Sequence, residues 1–196
     1  SEKSEKDRAQ YLEAASELFQ LDGDQKRTQS TLKQLMAIAP KAQQAKFTAK
    51  ILASMKGQEN SSEYQKLEEQ IVSQNIEPYA SEIKYRKVEK LFNDKKLSEA
   101  FNAAKPLVGS EAGINDDVRA KARLIQAKVL EKEFIETRTK TSVEKLAVVL
   151  SIKTEKLDKA QTAFLTSAKI AKDANVKLEA LQGLNRIYTN YVDSVG

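Results

Sequence analysis

The chain contains no histidine, no cysteine and no tryptophan. Histidine is the usual proton shuttle near neutral pH, and Cys and His are the main ligands of zinc and copper. Most hydrolase, thiol and transition-metal chemistry is thereby excluded. A chain without thiols has no disulfide framework and suits an oxidising compartment as readily as a reducing one. Glycine and proline are scarce, at six and three in 196 residues. Average usage is about 7% and 5%, so the shortage favours long helices and leaves little room for β-sheet. No apolar run exceeds five residues, as at Leu146–Leu150, against the roughly 20 that span a bilayer. No Walker loop, dinucleotide glycine pattern or calcium loop occurs. Near-neighbour carboxylates such as Glu131/Glu133 and Asp116/Asp117 point in different directions on a helix and make poor acid/base or metal pairs. The expectation is a protein that is not an enzyme and holds no cofactor or metal.

Present instead is an echo. A small apolar residue precedes a leucine by three positions at Ala15/Leu18, Ala49/Leu52, Val88/Leu91 and Ala127/Leu130. The leucines lie 34, 39 and 39 residues apart, a period that marks stacked helical hairpins. Tyr11, Ala14, Ala15, Leu18 and Phe19 form one apolar helical stripe, which ends at Leu21-Asp22-Gly23-Asp24, where Gly23 can take the left-handed C-cap conformation. A second helix carries Thr28, Leu32, Leu35 and Ile38 up to Pro40. The next hairpin runs from Pro40 through Ala45, Ala49, Leu52 and Ala53 to Gly57. Its second helix starts near Asn60 or Ser61 and carries Tyr64, Leu67, Ile71 and Val72 towards Pro78.

The third hairpin is expected over Ile83–Phe92 and Leu97–Val108, joined by the turn Asn93-Asp94-Lys95-Lys96. The loop 109–113, with two glycines, is the best candidate hinge, and Asn115 or Asp116 follows as an N-cap. Leu124, Ala127, Leu130 and Phe134 then define a long helix. Thr141 with Glu144 reads as a capping box for a short helix through Leu150. After a weak break at Ser151–Thr154, Leu157, Ala160, Phe164, Ala168 and Ala171 continue with helical spacing. A last helix carries Leu178, Leu181, Leu184, Tyr188 and Tyr191. It either caps the array or, as the apolar Val192 and Val195 suggest, belongs to a longer protein.

The segment Lys90–Ala100 resembles the helix–turn–helix corner of a tetratricopeptide repeat, with Leu91 filling the gap between helices, a polar turn, and Leu97 and Ala100 where the second helix crosses. The resemblance covers about residues 8 to 135. Departures are plain: only Tyr11 matches the aromatic that opens a repeat, the Leu-Gly pair is absent, and repeat-ending prolines stand only at Pro40 and Pro78. The resemblance implies an all-α, right-handed solenoid of antiparallel helical hairpins, binding a peptide or protein segment in a concave groove lined by the first helix of each hairpin. In that reading residues 1–8 are a charged lead-in and 9–112 three hairpins. Residues 113–196 hold longer, less regular hairpins and a terminal helix in the same array.

By that register the groove residues are Lys46 and Lys50, then Tyr85, Glu89 and Phe92, then Lys121, Lys128 and Lys132. A lysine wall beside aromatics suits an acidic peptide or a terminal carboxylate. The plainer reading is that these lysines keep the helices solvated and that Phe92 is core. Charge is uneven: residues 25–58 carry seven bases and no acid, while residues 1–24 carry three bases against seven acids. Such asymmetry can steer an acidic partner or join chains head to tail.

Net charge is +5, yet nucleic acid is not expected as a partner. The aromatics fall on apolar stripes rather than on stacking platforms, and only seven of the 33 bases are arginine. Direct membrane insertion is not expected either. Ser1–Arg8 has no apolar core of a leader, and with the lack of thiols this tips the expectation towards a bacterial-type exported or periplasmic setting. The alternative to a binding scaffold is a structural spacer or oligomerisation domain of a larger protein.

Overall fold

The computed structural model describes residues 2–109 and 113–195, and among these it is all-α: nine α-helices and one 3₁₀ turn, with no strand. None of the described helices is long and apolar enough to cross a membrane. Contacts gather the chain into two compact units, Ser1–Ala80 and Ser81–Gly196.

The first unit holds α1 (Glu2–Leu21), α2 (Gln25–Ile38), α3 (Lys41–Ser54) and α4 (Ser62–Ser73), each packed on the next. Helix α1 begins at Glu2, so the charged lead-in is helical rather than a separate tail. Gly23 at φ +75° closes α1: Asp24 N donates to Phe19 O at 2.9 Å and Gly23 N to Gln20 O at 3.2 Å. That bond pair is the Schellman ending, in which a left-handed residue satisfies the last carbonyls. Asp24 then caps α2, its Oδ1 accepting from Arg27 N at 2.9 Å. Pro40 stands one residue earlier than a first-turn proline, as the N-cap of α3. Ser61 caps α4 through Tyr64 N. Leu32 and Leu35 of α2, Phe47 and Ile51 of α3, Met55 just beyond it and Ile71 of α4 form the core. Each side chain contributes roughly 1.5–3 kcal/mol on burial.

Helix α5 (Tyr79–Asn93) opens as the first unit ends and runs into the second, followed by α6 (Leu97–Ala104). Lys95 sits at φ +63° and gives the turn the same Schellman bonds, Lys96 N to Leu91 O and Lys95 N to Phe92 O. The expected helix through Val108 is cut short. Pro106 cannot donate an amide, and Lys105–Leu107 forms a 3₁₀ turn. The expected hinge lies largely on residues 110–112, outside the described residues.

Asn115 caps α7 (Asp116–Glu136), with Oδ1 accepting from Val118 N at 2.8 Å. This helix is buried on opposing sides. Val118, Ala122 and Ile125 meet Val88, Ala100, Ala104 and Leu107. Ala120, Leu124, Ala127 and Phe134 meet α8 and α9. Alanines at close crossings let backbones approach, and Ser167 Oγ donates to Ala120 O at 2.8 Å across the α7–α8 contact.

The expected break at Ser151–Thr154 does not exist: α8 is a single helix, Val143–Ile170, of 28 residues. The segment contains neither Gly nor Pro, and Lys153 inside it is anchored. Its Nζ donates to Thr137 O at 3.1 Å and Asn190 Oδ1 at 3.2 Å. The residue before α8 is Ser142 rather than Thr141, and it makes no side-chain cap bond. At 1.5 Å per residue α8 is about 42 Å long and α7 about 31 Å. Residues 141–148 are all exposed, so the first turns of α8 run past their neighbours. Helix α9 (Ala174–Val195) packs on both α7 and α8. Gly183 lies against Phe164 so closely that an added Cβ would stand 2.2 Å from the ring.

The leucine echo is unequal in space. Ala49, Leu52, Val88 and Ala127 are buried, whereas Leu18 on α1 is 66% exposed.

Candidate functional site

Residues four and then three positions apart share one helix face. Tyr85, Glu89 and Phe92 lie so on α5, and Lys121, Ile125 and Lys128 on α7. These two faces, with Leu124 and with Val176 and Glu179 from the start of α9, enclose a cleft of about 240 Å³ within the second unit. Five of the eight residues expected from the sequence, Tyr85, Glu89, Phe92, Lys121 and Lys128, line it. Lys132 lies one turn beyond Lys128, pairs with Glu136 at 3.8 Å and does not line the cleft.

The cleft is electrically balanced, with Lys121 and Lys128 against Glu89 and Glu179. Lys128 Nζ pairs with Glu179 and stands 5.8 Å from the Phe92 ring centre. Tyr85 Oη donates to Glu89 Oε1 at 3.4 Å. Burial, and then the Glu89 carboxylate, hold the Tyr85 phenol well above its ordinary value, so it stays a neutral donor. Lys121 makes no ion pair among the described residues. What the arrangement offers is one cation, two aromatic rings and an apolar floor of Leu124, Ile125 and Val176.

Lys46 and Lys50 belong to the first unit and are engaged there. Glu13 Oε1 accepts from Lys46 Nζ at 2.9 Å and lies 3.6 Å from Lys50 Nζ, which is also 3.5 Å from Glu17. The hydrogen bond from Lys46 holds the Glu13 carboxyl below its usual range, and the same bond raises the Lys46 ammonium. Acids of α1 thus meet the basic segment inside one unit.

Beside that cluster a groove of about 430 Å³ runs between α1 and α3, floored by Ala9, Leu35, Ile38 and Phe47, with Gln10, Glu13 and Gln43 at its rim. A third cleft, about 410 Å³, lies over α7 and α8 with Phe101, Arg123, Leu130, Asp158 and Lys159. There Arg123 Nη1 donates to Gln126 Oε1 at 2.8 Å, and burial lowers the guanidinium below its usual range. Neither was named from the sequence, since small and neutral residues such as Ala9, Gln10 and Gln43 carry no chemical signature. A register carried from Glu13 back one turn would have reached Ala9 and Gln10.

Compared with protein-family models, curated proteins and solved structures, the chain matches none. Fold and clefts define an all-α protein with partly aromatic grooves between helices.

Proposed function

We propose that each unit is built of tetratricopeptide-like hairpins in the right-handed solenoid arrangement, and that the chain is a non-catalytic scaffold for a peptide or protein segment. The observation that carries this reading is the cleft of α5, α7 and α9, where Lys121, which makes no ion pair among the described residues, lines the same space as Tyr85 and Phe92. Its occupant is a short segment that places a carboxylate on Lys121 and an apolar or aromatic side chain between the rings. The α1–α3 ion pairs support the hairpin reading, because in such arrays the first helices of successive hairpins lie side by side.

The test selects peptides against the intact chain by display and measures their affinity for variants. Lys121→Glu and Phe92→Ala are expected to weaken binding at least about tenfold, roughly 1.4 kcal/mol. Lys132→Glu, one turn outside the cleft, should leave it unchanged. Selected peptides indifferent to Lys121 and Phe92 would refute the site.

A second reading, a spacer or oligomerisation element of a larger protein, is favoured by one observation: Tyr11, Leu18 and Leu21 on α1, and Leu178, Leu181, Tyr188 and Val192 on α9, are exposed.

A further inference from the structure

On α9, Val176, Ala180, Gly183 and Ile187 turn inwards, and a second apolar stripe faces away from the core. It consists of Leu178, Leu181, Asn185, Tyr188 and Val192, whose four apolar members are 44–65% exposed. The steps along it are three, four, three and four residues. That is the 3.5-residue period of a seam meant for another helix, with a single Asn in the middle.

We infer that two copies of this chain pair through α9, on a two-fold axis beside Asn185. The inference rests on the second reading above, that the chain associates through exposed apolar helices, and gives it one surface. Three observations choose the occupant. First, a primary amide is both donor and acceptor, so two Asn185 side chains can satisfy each other across a two-fold axis. The exposed stripe of α1 is Tyr11, Ala14, Leu18 and Leu21. No amide lies within that stripe, so docking it on α9 would not give Asn185 the reciprocal partner that a second Asn185 supplies.

Second, of the positions flanking the α9 seam, Gln182, Leu184, Thr189 and Tyr191 carry no charge, and the one base, Lys177, stands at the far N-terminal end beside Leu178. Two copies of a chain with net charge +5 therefore meet around Asn185 with no like charges flanking the axis. Third, the α1 stripe is flanked by Glu17 and Asp22, which would oppose themselves in an α1–α1 pair. An isologous contact through one surface also closes at two copies, the commonest assembly of soluble chains.

The chain has no cysteine, which makes the test direct. Asn185→Cys, oxidised with diamide, is expected to give a covalent dimer, and Leu18→Cys is not. Light scattering of the unmodified chain should report twice the chain mass, and Leu181→Glu and Tyr188→Glu should halve it without changing the helical circular dichroism. Leu18→Glu should leave the dimer intact. A monomer at every concentration overturns both the inference and the association reading. A dimer lost with Leu18→Glu but kept with Leu181→Glu overturns only the α9 pairing. Growth beyond two copies, abolished by either change, assigns the seam to α1 of the next copy and likewise overturns it.

Discussion

Arg186 of α9 grips Glu131 of α7 with two prongs of its guanidinium, Nε donating to Oε1 at 2.6 Å and Nη2 to Oε2 at 2.8 Å. The carboxylate is buried at 7% exposure while the arginine is exposed. Breaking the pair from the arginine side strands a charge away from water.

Arg186→Met is therefore expected to destabilise the second unit by about 2 kcal/mol, below the 3–5 kcal/mol of a fully buried pair because the guanidinium is partly solvated. Adding Glu131→Leu should restore most of the loss. Urea denaturation of the single and double variants measures both steps. An equal loss in the two would show that packing rather than charge dominates.

Gly183 departs from helix propensity in an instructive way. Ala at an exposed helix interior would stabilise by roughly 0.5–1 kcal/mol. Here the new methyl meets the fully buried Phe164 ring, so Gly183→Ala should destabilise by about 1–3 kcal/mol. Pairing it with Phe164→Leu should recover part of that loss. A rise in melting temperature for Gly183→Ala alone would contradict the close approach.

Lys153 is 2% exposed and has no carboxylate partner among the described residues. Its ammonium is held by Thr137 O, Asn190 Oδ1 and the face of Phe134, 4.6 Å from the ring centre. Burial lowers its pKa from 10.5. Between the lowered folded value and 10.5 the unfolded state binds more protons, so folding stability rises with pH in that window. Relative to Lys153→Met, the natural chain should gain stability as pH climbs towards 10.5, and the difference should be flat below the window. Melts of the two proteins across that range read the slope directly.

The α1–α3 cluster gives a dependence of the same sign at the acid end of the scale. Glu13 has its pKa lowered from 4.5, chiefly by the hydrogen bond from Lys46. Its contribution is present above the unfolded value and lost as pH falls through the lower folded one. The advantage of the natural chain over Glu13→Gln should vanish in that acid range. It should shrink in 1 M salt, where the screening length is about 3 Å.

Helix ends written in a few adjacent residues were legible. Gly23 in the left-handed region, the Ser61 and Asn115 caps and the 93–96 turn all act through bonds spanning five positions or fewer. The false break at Ser151–Thr154 arose because Lys153 looks like surface until Asn190, 37 residues away, is folded against it. Glu131, Ser167 and Gly183 were silent for the same reason, since each is defined by a partner on another helix. In the α5–α7 cleft the one-face spacing of Tyr85, Glu89, Phe92, Lys121 and Lys128 could be read along single helices. That Glu179 neutralises Lys128, and that Glu13 and Glu17 take Lys46 and Lys50, could not.

The overhang of α8 divides one continuous helix into two regimes of protection. From Lys153 onward one face of α8 is buried against α7 and α9, while the turn starting at Val143 is exposed throughout. Such a turn opens without disturbing the rest of the unit. In deuterium the amides of residues 147–150 should exchange within the fraying regime, and those of Leu157, Ala160 and Phe164 only with global unfolding. A gradient of that kind along 28 residues with no glycine or proline would originate in neighbour length alone.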